Sequence, residues 1–269
     1  MSTHSQMKRS GSLISRRAFG TTCAAGATSL VLSGRAAAAP VAARHVVLIH
    51  GAFADGSCWL DVIPLLQARG LSVLSVQNPL SSFADDVNVA RRSLALVTGP
   101  TVLVGHSYGG MVITEIGTDP KVSALVYLSA RAPDVDEDYG ALAKQFPTPP
   151  AGQGIVHEGG FAQLNEQAFL RDFANGVEPI RARALYAVQG RIADNLFASR
   201  VTKAAWRSRP SFYLITSQDR TTSPELQRFV AKRMNAKSIE VDAGHLAMIT
   251  HPSVVAAMIL RAAGVPSGV

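Results

Sequence analysis

Five residues, Gly105-His106-Ser107-Tyr108-Gly109, constrain this chain more than any others, because of what stands on either side of them. Before them runs Thr101-Val102-Leu103-Val104, a β-branched and apolar stretch with the composition of a buried strand. After them Gly110 leads into residues 111–116, read as an amphipathic helix. A G-x-S-x-G pattern set between strand and helix holds its serine on a sharp, strained turn, and the flanking positions have no room for a Cβ. The turn lifts the Ser107 hydroxyl above the sheet and leaves the next backbone N–H free at the helix start. Ser107 is the candidate nucleophile.

The same alternation of apolar strand and amphipathic helix repeats along the chain. Strands are expected at 45–49, 71–76, 101–104, 122–128, 211–216 and 238–241, with helices at 59–68, 83–97, 111–116, 224–234 and 252–263. Apolar runs joined by helical crossovers predict an α/β fold: a mostly parallel six-stranded sheet with helices on both faces. The pattern breaks between about residues 130 and 209. Pro133, Pro147, Pro149 and Pro150 fall there, with Gly152, Gly154, Gly159 and Gly160, and then short helical patterns at 164–173 and 180–188. This segment is expected to be an inserted helical cap (about 131–209) over the active edge of one domain, 40–269. The acidic stretch Asp134-Val135-Asp136-Glu137-Asp138 inside it reads as a solvated loop rather than a cation site.

Residues 1–39 read as a targeting segment. Arg16-Arg17 sits in a twin-arginine context behind Lys8 and Arg9, a weakly apolar stretch follows at 21–33, and Ala36 to Ala39 suits a signal peptidase. The expectation is export by the twin-arginine machinery to the periplasm or beyond. That segment holds five of the 26 Lys and Arg and none of the 19 acids, so the remainder carries 21 bases against 19 acids, a formal charge of +2 rather than +7. The basic balance therefore reflects the leader and gives no reason to expect nucleic-acid binding. Of the two cysteines only Cys58 lies outside the leader, which excludes an internal disulfide in the remainder. No metal-ligand spacing and no phosphate-cradling glycine loop follows any strand, so neither a metal nor another cofactor is expected.

A serine hydroxyl needs a base, and the base needs an orienting carboxylate. Among seven histidines, His245 stands out. It follows the last expected strand in a Gly244-His245 loop, at the carboxyl edge where the reactive groups of open parallel sheets gather. His106 is expected to point away from the chemistry. Asp219 is the preferred acid, just past the strand at 211–216. Its rival Asp242 lies three residues from His245, too near along one loop to reach the far side of the ring. Two backbone N–H groups are expected to bind a developing oxyanion: that of Tyr108, and that of Ala52 in the loop His50-Gly51-Ala52-Phe53. Phe53, Trp59, Tyr108, Leu246 and Met248 are expected to wall an apolar substrate pocket, with Phe146 and Phe161 from the cap.

These residues resemble the α/β-hydrolase superfamily, and within it the group of plant methylesterases, hydroxynitrile lyases and related bacterial esterases. The resemblance spans about residues 45–263. It rests on His50-Gly51-Ala52-Phe53 with Trp59, on Val104 through Gly110, on Asp219-Arg220 and on Gly244-His245. It implies the triad order Ser107, Asp219, His245, with Ala52 and Tyr108 as oxyanion donors, and a small ester of apolar or aryl character as substrate. The lyases of this group carry Thr at the place of Gly51 and Lys directly after the catalytic histidine, where this chain has Leu246. Ester hydrolysis is therefore expected. A carbon–carbon lyase or hydrolase using the same triad, and a non-catalytic receptor for small ligands, are the other readings the residues leave open.

Overall fold

The computed structural model describes residues 42–266; the expected export segment lies outside them. Six strands form the central sheet: β1 (His45–Ile49), β2 (Ser72–Val76), β3 (Thr101–His106), β4 (Val122–Leu128), then, beyond an insertion with three strands of its own, β8 (Ser211–Thr216) and β9 (Lys237–Val241). Their order across the sheet is β2-β1-β3-β4-β8-β9, and every neighbouring pair is parallel. The inner strands are apolar without alternation because neither face meets water: all six residues of β3 and all six of β8 are buried.

Helices cover the sheet. Phe83–Ala95 starts at Ser82, whose hydroxyl accepts from the Asp85 N–H, and packs on the helix Gly109–Ile116. Ile63–Gln67 packs on Pro252–Ala263, which ends at Gly264 in a left-handed conformation (φ +71°). The helix expected over 59–68 is broken: a 3₁₀ turn, Gly56–Trp59, precedes the short helix Ile63–Gln67, and Pro64 sits in its first turn, where a missing N–H costs nothing.

The winding direction reverses between β2 and β3, so the carboxyl ends of β1 and β3 lie side by side and open a crevice. The insertion between β4 and β8, expected to be a helical cap, also holds a second, antiparallel sheet: β5 (Ile155–Glu158), β6 (Phe161–Leu164) and β7 (Ile192–Ala193). Gly159 and Gly160, both at positive φ (62° and 81°), make the two-residue hairpin between β5 and β6. Short helices Tyr139–Ala143, Glu166–Ala168 and Pro179–Ala187 surround it, and Phe169–Phe173 forms a wide π-helical turn.

The acidic stretch before the first of these helices is paired rather than merely solvated. Asp134 accepts from Arg207 Nε at 2.8 Å, Glu137 meets Arg233 at 2.6 Å, and Asp136 and Asp138 lie 3.6 and 3.7 Å from Arg200.

Candidate active site

At the end of β3 the backbone of Ser107 takes φ +51°, a strained conformation for a residue with a side chain. Three hydrogen bonds hold it there. The Ser107 N–H donates to Leu128 O at 3.1 Å, and its carbonyl accepts from Gly110 N at 3.1 Å and Arg131 N at 2.9 Å. The glycines make this approach possible: a Cβ on Gly105 would lie 2.6 Å from Gly109 O, and one on Gly109 would lie 2.5 Å from Ile49 O.

Asp219, after β8, is buried yet has all its lone pairs engaged. Oδ1 accepts from the N–H groups of Thr221 and Thr222, both at 2.8 Å. Oδ2 accepts from Thr216 Oγ1 at 2.9 Å, from Gln227 Nε2 at 2.9 Å and from His245 Nδ1 at 2.8 Å. Carboxylate oxygens that accept from backbone, hydroxyl and amide hold the acid in one orientation, and the acid in turn holds the ring. With the proton on Nδ1, His245 keeps an unprotonated Nε2. Nε2 is buried and, among the described residues, has no hydrogen-bond partner, so the Ser107 hydroxyl is not bonded to it here. Such contacts commonly close only around bound substrate. The rival acid Asp242 is exposed and, among the described residues, accepts only from Ser217 Oγ, at 3.3 Å.

Two further histidines fix this geometry, against the expectation that His106 points elsewhere. His106 is fully buried, and its Nε2 donates to the backbone carbonyl of His245 at 3.0 Å, with the two rings 4.6 Å apart. Burial, with the neighbouring His245 adding to it, holds His106 well below the usual imidazole range, so it stays neutral. His50 donates from Nδ1 to Gly51 O at 2.8 Å and accepts at Nε2 from Asn78 N at 2.9 Å. These two bonds fix its tautomer and tie the loop after β1 to the end of β2. A Cβ on Gly51 would lie 2.8 Å from Ser107 Cβ and 3.0 Å from His106 Nδ1, so that loop lies against the nucleophile. Among the described residues no backbone group accepts from the N–H of Ala52 or of Tyr108.

Tyr108 has a second attachment that its neighbours in sequence do not announce. Its hydroxyl donates to Asp86 Oδ2 at 2.7 Å, while Asp86 Oδ1 accepts from Leu80 N at 2.8 Å. Burial pushes the Asp86 carboxyl up, only partly offset by these two donors.

A cavity of about 180 Å³ opens beside Ser107, lined also by Ala52, Phe53, Arg131, Phe173, Phe197 and Thr222. Of the expected wall residues only Phe53 contributes its side chain. Trp59 and Met248 are wholly enclosed in the core, and Leu246 lines a smaller cleft with Phe169 and Phe173. Phe146 packs on Phe229 at 5.3 Å, and Phe161 is exposed on β6. The reason is common to all of them: apolar side chains next to a motif face the core as readily as the pocket. The cap supplies the lid instead. Phe173 lies 5.3 Å from the His245 ring and 6.4 Å from Phe53. Asn175 donates to Gln218 O at 2.8 Å and closes over Gly244, where a Cβ would come within 2.3 Å of Asn175 O. Arg220, next to Asp219, reaches the cap's buried Asp172 at 2.6 Å.

The family model described as "Alpha/beta hydrolase family" matches residues 46–258. Methylesterase 8 of Arabidopsis thaliana is 25% identical over 226 residues, covering 75% of this chain and 82% of that protein. A carbendazim hydrolyzing esterase of Nocardioides sp. is 33% identical over 133 residues, 44% of this chain and 53% of that one. Among solved structures, a pyrethroid hydrolase from Sphingobium faniae superposes with a TM-score of 0.67 at 22% identity, over 84% of this chain and 99% of that one.

Proposed function

This chain belongs to the alpha/beta hydrolase family, and we propose that it is a carboxylic-ester hydrolase acting through Ser107, His245 and Asp219. His245 Nε2 takes the Ser107 proton as Oγ attacks the ester carbonyl, and Asp219 stabilises the imidazolium that forms. The N–H groups of Ala52 and Tyr108, which have no backbone acceptor in the described chain, bind the developing oxyanion. The tetrahedral intermediate collapses to an acyl-serine as His245 gives its proton to the leaving alkoxide. Water, deprotonated by His245, then releases the acid and restores Ser107.

The observation that carries this reading is the buried Asp219–His245 pair at 2.8 Å, whose Nε2 has no hydrogen-bond partner among the described residues, beside a serine held at positive φ. The similarity to proteins named esterases supports the chemistry. Leu246, buried and apolar after His245, offers no cation to a leaving cyanide, which favours esters over the lyase reading. A cavity of about 180 Å³ suits short acyl or aryl groups. The test is a series of p-nitrophenyl esters from acetate to decanoate. The expected result is a maximum at short chains, with kcat reduced about 10⁴-fold or more in Ser107→Ala. Equal rates in the two proteins would contradict it.

We also propose that residues 1–39 direct export by the twin-arginine route, supported by Arg16-Arg17 and the alanines at 36–39. Fusing that segment to a reporter, with and without Arg16→Lys/Arg17→Lys, tests this: the pair of changes should abolish export.

A further inference from the structure

We infer that the esters this site takes carry a carboxylate, and that Arg131 is the residue that receives it; this rests on the ester-hydrolase reading and narrows its substrate class. Arg131 is placed with the same care as the nucleophile. Its N–H donates to the Ser107 carbonyl at 2.9 Å, and the preceding Ala130 is pinned at both ends of its peptide by the Tyr213 hydroxyl, at 2.9 and 2.6 Å. From there the side chain lines the cavity that holds Ser107. The guanidinium lies over the Phe197 ring at 4.2 Å and near the Tyr139 ring at 5.4 Å, which fixes its plane.

What it lacks is an acid. Among the described residues no carboxylate lies within ion-pair distance of Arg131, and its Nη1 is buried without a hydrogen-bond partner. Elsewhere the same cap pairs its buried or half-buried charges: Asp172 takes both Arg171 and Arg220, and Glu137 takes Arg233. Arg131 is half-buried with its Nη1 enclosed and unpartnered, which is costly for a charged group, and burial pulls Arg131 below the usual arginine range. Aromatic faces offset part of this cost. A fork of N–H donors in a reactive cavity matches a carboxylate, which can accept two of them at once. The same cavity is lined by the apolar Phe173, Phe197, Ile155 and Leu164, and on its polar side by Thr221 and Thr222. The cavity therefore suits a short apolar spacer ending in an anion, with the ester carbonyl at Ser107.

The acid can sit on the acyl or on the alcohol side of the ester, and two matched pairs of substrates separate these. The first is p-nitrophenyl hemiglutarate against its methyl ester; the second is 3-carboxyphenyl butyrate against its methyl ester. We expect wild type to favour the acid in at least one pair. In Arg131→Gln the acid-to-neutral ratio of kcat/KM should fall about 10²-fold in that pair, with Arg131→Lys between the two. A second measurement uses Ser107→Ala, which should bind monomethyl glutarate tighter than dimethyl glutarate by calorimetry, a difference removed by adding Arg131→Gln. If neutral esters are hydrolysed and neither pair shows an Arg131-dependent ratio, Arg131 only props the cap through Phe197 and Tyr139, and the inference is overturned while the ester-hydrolase reading stands. If neither pair is hydrolysed but calorimetry shows Arg131-dependent preference for the acid, the anion site stands and the ester-hydrolase reading falls.

Discussion

The Nε2–H of His106 donates to the backbone carbonyl of His245 at 3.0 Å, so the residue before the nucleophile holds the loop that carries the base. The two rings lie 4.6 Å apart, and both side chains are buried. His106 acts here through position, since burial keeps it neutral. His106→Ala leaves the His245 carbonyl unsatisfied and opens a void beside the imidazole. The expected loss is about 10–10²-fold in kcat with KM changed less than about threefold, read from steady-state kinetics on a short-chain p-nitrophenyl ester. A change confined to KM would contradict a positioning role.

Asp219→Asn keeps the shape of the side chain but presents an N–H₂ group to the ring or loses the backbone donors of Thr221 and Thr222. In the first orientation the imidazole no longer has its Nδ1 proton held and the wrong tautomer becomes accessible; in the second the amide oxygen still accepts from Nδ1 but brings no negative charge to stabilise the imidazolium. The expected outcome is a fall in kcat of about 10³–10⁴-fold with the fold retained by circular dichroism. Asp242→Asn, at the exposed rival acid, should change kcat less than about twofold.

Tyr108→Phe removes one of two donors to a buried carboxylate while keeping the backbone N–H. Asp86 would retain only the Leu80 N–H at 2.8 Å. The cost is about 1–3 kcal/mol, a fall in Tm of about 2–10 °C for a domain of this size. Differential scanning calorimetry at neutral pH reads it, and an unchanged Tm would show that the Tyr108–Asp86 bond at 2.7 Å contributes nothing net.

The cap is fastened beside the acid by Asp172, which takes Arg171 and Arg220. Burial alone would push this carboxyl up; the two guanidinium groups outweigh it and hold the carboxyl below its usual range. A lowered carboxyl contributes stability above its unfolded-state value, about pH 4, and loses that contribution as pH falls through the lower folded-state value. Asp172→Asn should therefore lower Tm at pH 7, and the gap from wild type should narrow as pH drops below about 4. A gap that stays constant from pH 7 to pH 3 would contradict the ion-pair account.

The six central strands were legible because strands buried on both faces appear as short apolar runs bounded by turns, and their ends came within a few residues of those observed. Ser107, Asp219 and His245 were legible for a related reason: a motif or a loop at the carboxyl end of a strand is a position as well as a composition. The cap was less so. Gly159-Gly160 between Val156-His157-Glu158 and Phe161-Ala162 is a hairpin signal, but short, partly exposed strands on either side lack a continuous apolar run. The roles of Asp86 and His106 could not be found from the sequence. Each matters through a partner far along the chain, 22 residues for Asp86 and Tyr108 and 139 for His106 and His245, and no local periodicity marks such a pairing. The wall residues Trp59 and Met248 failed in the opposite sense, since composition alone does not say which way an apolar side chain faces.

The central claim is that one hydroxyl among the chain's serines is reactive because the strained turn at residue 107 presents it to His245. Treating the protein with a fluorophosphonate and mapping the adduct by peptide mass spectrometry tests this most directly. A single adduct on Ser107, formed slowly in His245→Ala and absent in Ser107→Ala, is the predicted result. An adduct on any other residue, or labelling of Ser107 at the wild-type rate in His245→Ala, would contradict it.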